Sequence, residues 1–157
     1  MTDLPILTQR RIEAAFAKGV YEEMKAELGE KTAKRILSSA VIKLAKETAA
    51  EMAKDAPGGA SLDSFRAIQS RWTADDALRT EVLESTPTSY DFNVVRCRYS
   101  EMYRAMGLAE LGAILSCNRD GAFCEGYHPD LKLTRTQTLM GGAPHCDFRY
   151  RMEKPAG

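Results

Sequence analysis

The sequence has no net charge: 22 Lys and Arg stand against 22 Asp and Glu in 157 residues, and the pI is near 6.7. A general affinity for nucleic acid or anionic membrane needs a basic excess, so this balance argues against both. No apolar run approaches the roughly 20 residues of a membrane span, and the opening MTDLPILTQRR lacks the apolar core of a secretion signal. The expectation is a cytoplasmic chain, in which structural disulfides are rare. None of the cysteines, Cys97, Cys117, Cys124 and Cys146, is spaced CxxC, which leaves a zinc ribbon unsupported. HxH and HExxH metal motifs are missing, as is a nucleophile elbow.

What is present has two textures. By length the chain is expected to be one domain over 1–157, mainly helical over 1–80 and sheet-containing over 81–157. From Thr8 to Leu28, Ile12, Phe16, Val20, Met24 and Leu28 recur at helical spacing, and Gly29 stops the run. A second helix is expected from Glu30 to Ala56, with a stripe through Ile36, Leu37, Ala40, Val41, Leu44, Ala45, Thr48 and Met52, ended by Pro57-Gly58-Gly59. A third begins at a Ser61 cap and carries Phe65, Ile68 and Trp72. Such stripes ordinarily mean helix packing; they also suit a homo-oligomer surface or the wall of a pocket.

Beyond Arg79 the pattern changes. TEVLES and DFNVVRCRY alternate like strands, YSEMYRAMGLAELGAIL returns to helical spacing, and SCNRDGAFCEGYHPD reads as a loop. KLTRTQTLM is expected to be a strand, GGAP a turn, and HCDFRYRM the paired strand. The order α-α-α-β-β-α-β-β gives an α+β fold, with N-terminal helices packed on a small antiparallel β-sheet.

With a period of two, HCDFRYRM sends Cys146, Phe148, Tyr150 and Met152 to one face and His145, Asp147, Arg149 and Arg151 to the other. The same parity puts Cys97 with Asn93, Val95 and Tyr99. Cys117 and Asp120 form a CxxD. The candidate site therefore draws on Cys117, Asp120, Arg135, His145, Cys146, Asp147 and Arg149. A thiolate attacks electron-poor carbon if nearby Arg or His lowers its pKa below about 8.5. A carboxylate shuttles protons, and Arg holds a substrate carboxylate. Together these suit hydrolysis of a small, charged, amidine-like compound. Read separately, Cys146 and Cys97 are core thiols, Cys124 fills space, and Asp147 and Arg149 form an exposed ion pair worth about 1 kcal/mol.

Cys117-x-x-Asp120, then RTQTLMGG over 135–142 and HCDFRY over 145–150, resemble the C-terminal signature of the L-2-amino-thiazoline-4-carboxylic acid hydrolase family. The resemblance covers roughly Val94 to Tyr150; the helical half matches in general character only. It implies a hydrolase acting on a carbon–nitrogen bond of a cyclic isothiourea or amidine, opening a thiazoline ring to N-carbamoyl-cysteine, with a small-molecule substrate; with no metal motif in the sequence, no cofactor is expected. It also adds Thr136 and Thr138 to the matching positions, beside Arg135 and Arg149 as substrate-binding candidates. Catalytic candidates are Cys117, Asp120, Cys146, Asp147 and His145, with a cysteine nucleophile or water attacking the ring. Two other readings stay open. Cys97, Cys117 and Cys146 would together suit zinc or an iron–sulfur centre. A non-catalytic small-molecule binder or redox sensor with clustered cysteines is the other.

Overall fold

A computed structural model of the chain describes residues 4–153. Helix α1 (Ile6–Leu28) meets α2 (Glu30–Lys54) at Gly29, whose φ of 86° lies in the left-handed region that side chains avoid. Two short helices follow, α3 (Leu62–Ile68) and α4 (Ser70–Thr73). Ser61 caps α3 by accepting from the Ser64 backbone N–H at 3.0 Å, and the Ser64 hydroxyl answers with the Ser61 N–H, as a capping box.

Strands β1 (Leu78–Ser85) and β2 (Ser89–Cys97) come next. Then follow α5 (Arg98–Ala105), α6 (Ala109–Gly112), a π-helical turn over Ala113–Cys117, and α7 (Asn118–Tyr127). Strands β3 (Leu131–Thr134) and β4 (Cys146–Met152) close the described chain. The four strands form one antiparallel sheet in the order β1-β2-β4-β3. The fold is α+β, as the element pattern indicated. No helix among the described residues is long and apolar enough to cross a membrane.

Three differences from expectation stand out, and the first two have physical causes. The segment read as a loop is helix α7, because Phe123 and Tyr127 sit one turn apart and bury against the sheet and α3. Tertiary packing outweighs a polar, Gly-containing composition here. Gly126 makes the packing tight: a Cβ there would lie 2.7 Å from the Lys46 backbone on α2. KLTRTQTLM pairs only through Thr134, opposite Arg149. Beyond it the Asp147 carboxylate accepts the backbone N–H groups of Thr136 and Gln137, each at 2.9 Å, taking the place of ladder bonds. Finally, much of the expected α1 stripe does not pack: Ile12, Phe16 and Val20 are 59%, 78% and 41% exposed, while Ala14 and Tyr21 are buried.

The core has two parts. One joins α2, α3 and α7 to the sheet through Phe65, Phe92, Phe123, Phe148 and Tyr150; the other joins α1 and α2 to α5 and α6 through Leu37, Tyr99, Tyr103 and Leu111. Burying each such side chain contributes about 1.5–3 kcal/mol. Trp72, Leu78 and Cys97 touch both parts. The candidate site lies at this seam.

Candidate functional site

Three strand or helix ends bring the polar groups together. The π-helical turn runs directly into α7, so Cys117 and Asp120 share one helical face. Arg135 follows β3; its Nη1 donates to Asp120 Oδ2 at 2.6 Å and its Nη2 to the Cys117 carbonyl at 3.0 Å. The Arg135 guanidinium also lies 5.1 Å from the Phe148 ring centre. Cys146, at the start of β4, accepts the Leu139 N–H on its sulfur at 3.2 Å.

Cys97 corrects the parity reading. Arg79 pairs with Arg96 but Thr80 pairs with Val94, so Val95 is an extra, bulged residue in β2. A bulge reverses the alternation beyond it, which returns Cys97 to the core side with Val94. There its sulfur caps α5 by accepting the Ser100 N–H at 3.4 Å.

Cys97, Cys117, Cys146, Asp120 and Arg135 line one small cavity of about 60 Å³. That is room for about four to six waters at 10–15 Å³ each. A second cavity of about 480 Å³ opens between α1, α2 and the sheet, and the two share Arg10, Trp72, Leu78, Arg119, Asp120 and Phe148 as walls. Asp120 therefore stands at the junction, with 31% of its side chain accessible.

Burial sets the protonation of these groups. It pushes the Cys117 thiol up to about 12, reinforced by the Asp120 charge, and it raises Cys97 and Cys146 as well. A thiolate nucleophile needs the opposite shift. Burial also raises Asp120, against the opposing charge and hydrogen bond of Arg135. For Arg135, burial lowers the pKa, but Asp120 outweighs it and the group is raised.

The other sequence candidates lie elsewhere. Asp147 binds Thr136 and Gln137; burial raises its pKa, but the Thr136 hydroxyl and these backbone N–H groups pull it down to about 2. Arg149 donates to the Phe92 and Phe148 carbonyls and to Asn93 Oδ1, at 3.1, 2.8 and 3.0 Å. It pairs with neither Asp147 nor Arg135. Thr138 accepts the Gly141 N–H on its hydroxyl at 3.0 Å and closes the turn before β4. His145 Nε2 lies 3.3 Å from Gln137 Nε2. His145, Asp147, Thr136, Thr138 and Arg149 line neither cavity. No group of three His, Cys, Asp or Glu among the described residues is arranged to hold a metal ion, so the alternative centre through Cys97, Cys117 and Cys146 finds no ligand set.

Arg10, Glu13 and Arg119 were not singled out from the sequence. Arg119 Nη2 reaches Glu13 Oε2 at 2.9 Å across 106 positions, and Arg10 Nη1 reaches Glu13 Oε1 at 3.2 Å. Residues so far apart leave no spacing signal. The one available sign was the adjacency of Arg119 to Asp120.

Solved structures that share the fold include these two. The phenol-responsive sensory domain of the transcription activator PoxR, in a structure with phenol, is 14% identical with a TM-score of 0.54, over 88% of this chain and 73% of that one. A trafficking protein particle complex subunit 3 from Naegleria fowleri, covalently bound to palmitic acid, is 10% identical with a TM-score of 0.50, over 96% and 98%. Identities this low show the fold alone. No curated protein sequence matches the chain. The family match reaches well beyond the C-terminal signature: residues 9–150 fit its model, and the chain belongs to the L-2-amino-thiazoline-4-carboxylic acid hydrolase family.

Proposed function

We propose that the protein opens a small cyclic isothiourea or amidine ring, of the 2-aminothiazoline-4-carboxylate class, with water as nucleophile and Asp120 as general base. The observation that carries this reading is the Asp120–Arg135 pair at the junction of the two cavities, with burial raising the Asp120 pKa against the charge and hydrogen bond of Arg135. Family membership supports the reaction class. The raised pKa of every thiol in the cluster favours water over a covalent cysteine intermediate.

Water adds to C2 of the ring. One of its protons passes through Asp120 to the ring nitrogen; the proton of the new hydroxyl then passes to sulfur as the C2–S bond breaks. The carbamoyl product keeps both nitrogens on C2. For a thiazoline the bond broken is therefore carbon–sulfur, whereas a cyclic amidine without sulfur would open at the carbon–nitrogen bond expected from the sequence. Arg135 holds Asp120 in place. Arg10 lines both cavities, and its Nε and Nη2 make no hydrogen bond among the described residues, so it takes over the carboxylate-binding role expected of Arg135 and Arg149.

The test is incubation with L-2-aminothiazoline-4-carboxylate, following N-carbamoyl-cysteine by mass spectrometry and its thiol by colour reaction. Sustained turnover supports the reading; bound but unchanged substrate overturns it. The large apolar cavity favours a second reading, a non-catalytic small-molecule binder, supported by structural neighbours seen with phenol and with palmitic acid. Tight binding without turnover separates the two. A homo-oligomer is proposed as well, supported by the exposed Ile12, Phe16 and Val20 stripe on α1.

A further inference from the structure

The larger cavity, about 480 Å³, has eight times the volume of the smaller one at about 60 Å³. Cavities of about 300–1,000 Å³ take drug-sized ligands, far more than one five-membered ring with a carboxylate. Its deep wall is aromatic, formed by Phe65, Phe92, Phe148 and Tyr150, all buried. At the other end Phe16 and Leu44 line it while 78% and 54% exposed, which marks them as its mouth. The charged lining residues are Arg10, Arg71 and Arg119 against Glu13 and Asp120, an excess of one positive charge. An apolar body carrying one carboxylate complements this wall.

We infer that the ligand of this site is an amidine-type ring carboxylate bearing an alkyl or aryl body, with the ring at Asp120 and the body in the larger cavity. The inference rests on the ring-opening reading for the position of the ring. The cavity itself demands the apolar body. With the body buried, each added methylene contributes about fourfold in binding, and a four-carbon chain up to about 200-fold. The unsubstituted ring is then a poor substrate, and Phe16 and Leu44 become specificity determinants.

The test compares kcat/KM for 2-aminothiazoline-4-carboxylate with that of its 5-butyl and N-butyl derivatives on the intact protein. The apolar anion 1-anilinonaphthalene-8-sulfonate serves as a fluorescent probe of the cavity in parallel. The expected result is a ratio of at least about tenfold in favour of one butyl derivative, lowered by L44W, together with displacement of the probe. Position 44 is exposed, so the substitution does not load the core. Equal kcat/KM for all three compounds overturns the inference and leaves ring opening standing. Probe displacement by a butyl derivative without turnover of any compound supports the apolar cavity and overturns ring opening. Neither displacement nor turnover overturns both.

Discussion

Replacing Arg135 with Met removes one half of the Asp120 ion pair while keeping an apolar stem against Phe148. In the native protein Arg135 neutralises a carboxylate at 2.6 Å, binds the Cys117 carbonyl, and lies over the Phe148 ring. Removing one partner of a fully buried pair costs about 3–5 kcal/mol. Asp120 and Arg135 keep 31% and 17% of their side chains accessible, so the expected loss at pH 8 is smaller, about 2–3 kcal/mol. At about 2–4 °C per kcal/mol, Tm should fall by roughly 4–12 °C. The loss must depend on pH. The folded pKa of Asp120 already lies above its unfolded value near 4, and without Arg135 it rises further. A group shifted this way contributes stability below the unfolded pKa and loses it as pH rises through the folded pKa. R135M should therefore be much closer to the native protein at pH 4.5 than at pH 8, and R135M/D120N should recover most of the loss at pH 8. Urea denaturation at both pH values reads this directly. A loss independent of pH, or no recovery in the double variant, would refute a half-buried Asp120 carboxylate held by Arg135.

Four further outcomes follow from the structure. G126A should lower stability by about 1–2 kcal/mol, since its Cβ would press on the Lys46 backbone, whereas G121A, with open space around it, should raise stability by up to about 1 kcal/mol; thermal melts decide. Asp147 has a folded pKa near 2, so its contribution is full above about pH 4 and lost as pH falls through 2; the stability gap between native protein and D147N should narrow over that window. With its thiol near 12, Cys117 is roughly 10⁻⁴ thiolate at pH 8, so mass-mapped iodoacetamide labelling should be slow there and quicken about tenfold per pH unit up to pH 11. Phe16→Glu should shift the proposed oligomer toward monomer in light scattering, and a native protein already monomeric would remove that proposal.

The fold class and the faces of β4 were legible because both depend on local periodicity. Cys146, Phe148, Tyr150 and Met152 are all buried, as alternation required. Cys97 packs against the core as expected, but its strand face was misread for a reason sequence hides: the bulge at Val95 is defined by pairing with β1, and one extra residue inverts every face beyond it. Helix α7 was missed because its stability comes from packing on α2 and the sheet. Asp120 and Arg135 were each named, but their pairing depends on that helix. Arg10 and Glu13 enter the site from the first helix, more than a hundred positions before Arg119, and no motif could connect them.

The proposed ring opening turns on Asp120 and not on a cysteine. Its most direct test is kcat/KM on the best ring substrate for D120N beside C117S and C146S, with folding checked by thermal melts. The expected loss is at least about 10²-fold for D120N and less than about tenfold for either serine variant. A D120N protein within tenfold of the native rate, or a cysteine variant that loses activity as a nucleophile would, contradicts it.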